Sequence, residues 1–557
     1  MMNNATITQH KKIYSGRLFT ALIAVIMFVL AFGVVQKYIW GDTFLMEYHA
    51  DSADTLLWAN ADLENGKPFK PSFDYAYKLL FGGQWLFMPF VKSFGVSIKA
   101  QRCAMCLFSF LFTLVLIFFF RSMDYSYKDA FMLTAVMLTA VCITKKTREI
   151  YFSHIIHYSL SVFYLLLAFS FLQLILKKEK INDRFFPGIL FTVCLVMCGM
   201  NGSVNFLYVT FPMLAACLIE FYFNKKKEML FISALTAFSA IPGSLLTLSG
   251  KISTSYSGFY SSLAPYADWS KQISEFPTLW ITLFTDYSNQ GLQVISPGSI
   301  LGILSILFGI FTFIGFILSF SNYKEETDPG RRIFIFATWI MFSGIFFFMV
   351  FGRISDANWR LSPVVFSVQI IIIFQLSGGF GHHPDEDHNS GGIRHGLLIL
   401  CGSFLILQTF AVMFTSAFRK YDPKIWFDEE GLIETLKAHD LNYGYSTSYW
   451  FGNSVTLLTD SKIQSRTVEW NSGRPRLPQY NINCDLEWYD DQAGQEKYFL
   501  ILDDEQFSLG SDFIDGAFEV YSCSQKDARN LSRKYLHILV YDYNFMKSEY
   551  DRLKGSW

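Results

Sequence analysis

The sequence predicts a polytopic α-helical membrane protein of about 11 transmembrane helices, with a small C-terminal α/β extracytoplasmic domain. Three observations predict it. Long apolar runs recur along residues 1–418, each near the roughly 17–25 residues that a spanning helix needs. Charged residues make up 17% of the chain, against about 25% in soluble domains. That charge is also uneven, gathering in short clusters between the runs and in residues 419–557.

The predicted spans are Leu18–Val35, Cys103–Phe120, Ala130–Thr144, Ile155–Leu176, Phe185–Met200, Val204–Phe223, Met229–Leu248, Ile300–Phe320, Ile333–Phe351, Leu361–Leu376 and Leu397–Phe418. The third and fifth are short. Lys11, Lys12 and Arg17 precede the first run and no small-residue cleavage site follows it, which is the pattern of a signal anchor. Positive charge collects on the cytoplasmic side. A cytoplasmic N-terminus places Arg121, Lys128, Lys177, Lys178, Lys180, Arg184, Lys225, Lys226, Lys227, Lys324, Arg331 and Arg332 there. One outer loop dissents, with Lys145, Lys146 and Arg148. An odd number of spans puts the C-terminal domain outside the cytoplasm, in a protein of the plasma (inner) membrane.

Two outer loops are long, at residues 36–101 and 249–299. In the first, Asp51 to Asn65 reads as a helix that stops at Gly66, glycine being a common helix end. Lys78 to Val96, broken by Gly82, Gly83 and Pro89, reads as a segment on the membrane surface with Trp85 near the headgroups. In residues 419–557, Asp428 to His439 reads as a helix, and Lys497–Leu502 and Leu536–Tyr541 as strands. Cys484 and Cys523 are the two cysteines there, and a disulfide between them stays open. No basic face suggests nucleic acid as a partner.

Three clusters carry chemistry. The first is Glu47-Tyr48-His49-Ala50-Asp51-Ser52-Ala53-Asp54. Asp51 and Asp54, three apart, share a helix face. Two near carboxylates suit a general base or a divalent metal, and equally a solvated helix start. The second is Arg148-Glu149, His154 and His157 at the top of a membrane helix, where ionisable groups usually face the interior. They complete a metal site with Asp51, bind substrate, or remain interfacial histidines. The third is Arg353 to Pro363, with Trp359 and Arg360, suited to a lipid phosphate or to snorkelling. His382 to His388 reads as a solvated cytoplasmic loop.

The first loop, with Asp51-Ser52-Ala53-Asp54, Trp58-Ala59, Glu64-Asn65-Gly66 and Pro71, resembles the GT-C superfamily of polytopic glycosyltransferases. It is especially similar to the protein O-mannosyltransferases and the lipid A aminoarabinose transferases. The resemblance implies that Asp51 stands at the leading acid, in or beside the catalytic base, and that Asp54 is the second acid at altered spacing. It implies a further acid or metal ligand at Glu149 and His154. Asn358 to Pro363 looks like the family's phosphate-binding step, with Trp359 and Arg360 in a different order, so Arg353 competes with Arg360.

These residues define the expectation: a membrane glycosyltransferase that moves a sugar from a polyprenyl-phosphate donor to a protein, lipid or glycan acceptor outside the cytoplasm. Asp51 and Asp54 are the candidate catalytic acids. Arg353, Arg360, Trp359 and Glu47 are the substrate and phosphate set. Glu149, His154 and His157 with Asp51 are the candidate ligands of a divalent metal, Mg or Mn. A lipid-linked donor needs no nucleotide-binding motif, and none is found. The other readings are a transporter or flippase of lipid-linked glycan, and a non-catalytic glycan-binding scaffold.

Overall fold

The computed structural model describes residues 4–155, 158–249, 262–285, 297–354, 357–377, 388–418, 430–478, 483–526 and 533–554. Among them, nine helices are long and apolar enough to cross a membrane, from Leu18–Trp40 to Gly392–Ala417. They coincide with nine of the eleven predicted runs. The fifth run is a helix too, Ile181–Gly199, with Asp183, Arg184 and Pro187 in its first turns.

The third run departs from a straight span. Its helix, Tyr127–Ala140, ends early, and the chain bends by 116° into a second helix, Lys145–Phe152. A local signal explains the break. The Thr144 side chain accepts the Thr147 backbone N–H, and the Thr147 hydroxyl accepts that of Thr144. This reciprocal cap starts a new helix where apolarity alone would continue the old one.

The loops assigned to the two sides segregate. At one end, Arg332 pairs with buried Glu220, Lys177 with Asp124, and Gln173 donates to Asp328. These are the loops assigned to the cytoplasm. At the other end, Lys37 of the first span donates to the carbonyls of Ser416 and Ala417 in the last. There the first loop and the C-terminal region also meet.

The C-terminal region folds around a five-stranded sheet whose strands lie side by side in the order Gln464–Thr467, Tyr443–Ser446, Tyr498–Asp503, Arg533–Tyr541, Glu519–Lys526. Its strands are β2 (Tyr443–Ser446), β3 (Gln464–Thr467), β7 (Tyr498–Asp503), β8 (Glu519–Lys526) and β9 (Arg533–Tyr541). β3, β2 and β7 run parallel, while β8 and β9 are antiparallel additions. Alternation along β7 sends Tyr498, Leu500 and Leu502 into one core and Phe499 and Ile501 into the other. The helix Glu430–Ala438 supplies Leu432, Ile433 and Leu436 to the second core. Cys484 lies in the first core and Cys523 in the second, on opposite faces of the sheet, and both are free thiols.

This region is bound to the first loop. β1 (Phe73–Asp74) pairs antiparallel with β6 (Cys484–Asp485). Lys70 reaches Asp485 at 2.7 Å and Glu487 at 2.8 Å. Asp460 and Ser461 hold the backbone at Ile98 and Val96. The second half of the loop is therefore fastened to the C-terminal region at residues 70–74 and 96–98, downstream of the acidic segment.

Candidate active site

The acidic segment is a 3-10 turn, Ala50–Ala53, running into an α-helix, Asp54–Asn65. His49 caps the turn, and Gly66, at φ 69°, ends the helix. The change of helix type at Ala53 separates the two acids that a continuous helix would set on one face. Asp51 keeps 39% of its side chain exposed. Asp54 is buried. So are Thr55, Trp58 and Asp62: the Trp58 indole donates to Asn483 of the C-terminal region, and Asp62 accepts from the Tyr75 hydroxyl and the Phe69 N–H within the first loop.

Asp54 points toward the C-terminal region. The Tyr449 hydroxyl donates to Asp54 Oδ1, and Asn483 Nδ2 donates to the same oxygen at 2.6 Å. Asn483 also accepts the Trp58 indole N–H at 2.5 Å and the Ala76 N–H at 3.2 Å through its own Oδ1. Burial, with the Asp51 charge adding, raises the Asp54 pKa well above the usual carboxylate range, and the Tyr449 hydrogen bond offsets part of this. Asp54 is thus enclosed where the first loop meets the C-terminal region.

Asp51 faces the bent helix instead. His49 Nδ1 lies 3.3 Å from Asp51 Oδ2 and 3.6 Å from Glu149 Oε1. Burial pushes the Asp51 carboxyl up, but the hydrogen bond and charge of His49, with His154, bring it below its usual value. Glu149 is buried. Lys146 donates to both its oxygens at 3.0 Å, and His154 Nε2 lies 3.4 Å from Oε1. Burial raises its pKa, and the His154 hydrogen bond, followed by the Lys146 charge, holds it well below the carboxylate range. The Ser52 and Ser153 hydroxyls bond at 2.7 Å, and Gln101 donates to both carbonyls, so the two loops are pinned together.

The bent helix also explains the dissenting positive loop. Arg148 forms a bidentate, buried pair with Glu47, its Nε donating at 2.8 Å. Lys146 is committed to Glu149. These two cations neutralise buried acids. Glu47, expected in the substrate set, is engaged by Arg148 instead. Arg148→Ala leaves the Glu47 carboxylate buried without its bidentate partner, and about 3–5 kcal/mol of stability is expected to be lost. Thermal unfolding in detergent checks this, and Arg148→Met with Glu47→Leu is expected to recover part of the loss.

The third cluster arrives from the membrane side. Asn358–Leu361 is a 3-10 turn. The Tyr208 hydroxyl, on a π-helical turn at Phe206–Thr210, donates to the Arg360 carbonyl at 2.8 Å. Asn358 donates to Thr282 at 2.9 Å. Lys146 sits over the Trp359 ring, 4.6 Å from its centroid. Lys146 therefore touches Glu149 on one side and Trp359 on the other. Arg360 is half-buried and Arg353 exposed, which favours Arg360 as the positioned cation. His157 and the His382-to-Asp387 stretch lie outside the described residues.

Among the described residues, no group of three or more His, Cys, Asp or Glu side chains converges to hold a metal ion. His49, Asp51, Glu149 and His154 are adjacent, but they pair with one another, and Lys146 occupies both Glu149 oxygens. As arranged, Lys146 and the histidines engage the carboxylate oxygens, and His157 of the expected set lies outside the described residues. Sequence reasoning gave His49 and Lys146 no site role and missed Tyr449 and Asn483. Lys146 was legible as a cation three residues before Glu149. Tyr449 and Asn483, some 400 residues from Asp54, left no signal.

No family model and no curated protein matches the chain. Among solved structures it is similar to ArnT from Cupriavidus metallidurans bound to undecaprenyl phosphate. The TM-score is 0.48 at 11% identity, over 94% of this chain and 98% of that one. The apo state of the same ArnT is similar at TM-score 0.41 and 9% identity, again over 94% and 98%. The Archaeoglobus fulgidus oligosaccharyltransferase in complex with Zn and sulfate follows at 0.44 and 12%, over 79% of this chain and 62% of that one.

Proposed function

We propose that this protein is a membrane glycosyltransferase that moves a sugar from a polyprenyl-phosphate donor to an acceptor outside the cytoplasm. One observation carries the reading: an accessible Asp51 shares, through His49 and Glu149, a cluster with Lys146, which lies over the Trp359 ring beside Arg360. Asp51 is the base. It takes the proton of the acceptor hydroxyl as that oxygen bonds to the anomeric carbon. The sugar–phosphate bond breaks through an oxocarbenium-like transition state. The leaving phosphate gains negative charge, which Lys146 and Arg360 stabilise at the membrane face. Glu149 and the two histidines hold Lys146 and Asp51 in place.

The test is sugar transfer from a panel of polyprenyl-phosphate sugars by the purified protein in liposomes. Transfer from at least one donor is expected. No turnover with any donor would leave a transporter or scaffold as the better reading. Lys146→Met is expected to lower kcat/KM for the donor by roughly 10–100-fold, the range of a lost charge-assisted hydrogen bond. An unchanged kcat/KM would remove Lys146 from the phosphate site.

A further inference from the structure

On the outer flank, away from Asp51, a recess of about 450 Å³, counted to its open mouth, lies between the outward ends of the first and last spans. We propose that it binds one bilayer phospholipid through its phosphate. Val34 and Val412 give it an apolar floor, and Lys37, Arg148, Thr415 and Ser416 supply polar groups. The helices beside it face lipid: Val29 is 59% exposed on the first span, and Phe414 62% on the last. An acyl chain along these faces would bring a headgroup to the level of Lys37.

The charge in the recess suits one anion. Lys37 and Arg148 carry two positive charges, and Glu47, paired with Arg148, returns one. The net of +1 matches a phosphate diester. Lys37 donates to two terminal carbonyls of the last span, and an ammonium has three N–H groups. The Thr415 hydroxyl bonds only within its own helix turn, to Ala411 and Val412. Arg148 is the wall shared with the candidate active site, since Glu47 stands two residues before His49. The lipid would therefore brace the ion pair that holds the first loop.

Binding tests this without reference to turnover. The full-length protein in uncharged detergent is titrated with dioctanoyl phosphatidylglycerol, with a phosphate-free dioctanoyl glucosylglycerol, and with inorganic phosphate, and adducts are counted by native mass spectrometry. One phosphatidylglycerol is expected to bind more tightly than the glycolipid. Lys37→Met is expected to weaken it roughly fivefold, the effect of one cation near a lipid phosphate. Thr415→Leu fills the recess without removing a charge and is expected to abolish the adduct, so a misfolded Lys37 variant does not leave the matter open. Equal binding of the glycolipid, or full binding in the folded Thr415→Leu variant, would overturn the proposal. Displacement of the lipid by inorganic phosphate at equal concentration would make this a free-anion site and refute the lipid assignment.

Discussion

Asp51→Asn is expected to lower sugar transfer at least about a hundredfold with no change in thermal stability, whereas Asp54→Asn is expected to stay within a few-fold of wild type. A lost general base costs roughly 10²–10⁴ in rate. Asp51 meets the requirements for that base: it is accessible, and its pKa lies below the usual value, so it is ionised at neutral pH. Activity should therefore persist at pH values where an unperturbed aspartate begins to protonate, and fall only as pH drops through its lower value. Asp54 meets neither requirement. It is buried, and its pKa is raised well above the usual range, with burial the first cause. Asparagine is nearly isosteric with the neutral acid and can accept from Tyr449 and Asn483 through the same oxygen. Transfer measured on both variants, each checked for folding, decides the assignment. A collapse in Asp54→Asn with Asp51→Asn unaffected would reverse the two roles.

The membrane architecture was legible because hydropathy acts over 20 residues at a time and survives local exceptions. The spans at Cys103–Phe120 and Ile333–Phe351 were read within a few residues of their observed limits. The run Ala130–Thr144 was misread for the opposite reason. A four-residue cap at Thr144 and Thr147 outweighs the window average and turns the chain by 116°. That turn delivers Lys146, Arg148 and Glu149 to the first loop. The acidic motif itself was legible, but not the division of labour between its two acids. That division depends on a 3-10 turn and on Tyr449 and Asn483. Contacts across such sequence distances have no periodicity to announce them.

Asn483→Ala is expected to lose about 2–6 kcal/mol, the largest stability effect of any single change in this interface. Asn483 uses its whole hydrogen-bonding capacity. Nδ2 donates to Asp54 and to Tyr449, and Oδ1 accepts from Trp58 and Ala76. Truncation strands two buried groups, the Trp58 indole N–H and the Ala76 N–H, while Asp54 keeps the Tyr449 hydrogen bond. Each costs roughly 1–3 kcal/mol when left unmade. Asn483 also sits at φ 54°, a conformation that asparagine tolerates better than alanine. Asn483→Gly removes the side chain without that backbone penalty, so the difference between the two variants isolates the strain. The same interface should respond to pH. A carboxyl whose folded pKa is raised stabilises most below its unfolded value of about 3.9, and the stabilisation is lost as pH rises toward the folded value. Docking of the C-terminal region on the first loop should therefore weaken from acid to neutral pH. In Asp54→Asn that dependence should flatten. Hydrogen exchange across residues 54–76 reads both effects. Protection that is independent of pH in wild type, or unchanged in Asn483→Ala, would show that β1–β6 pairing and the Lys70–Asp485 contact hold the interface without this asparagine.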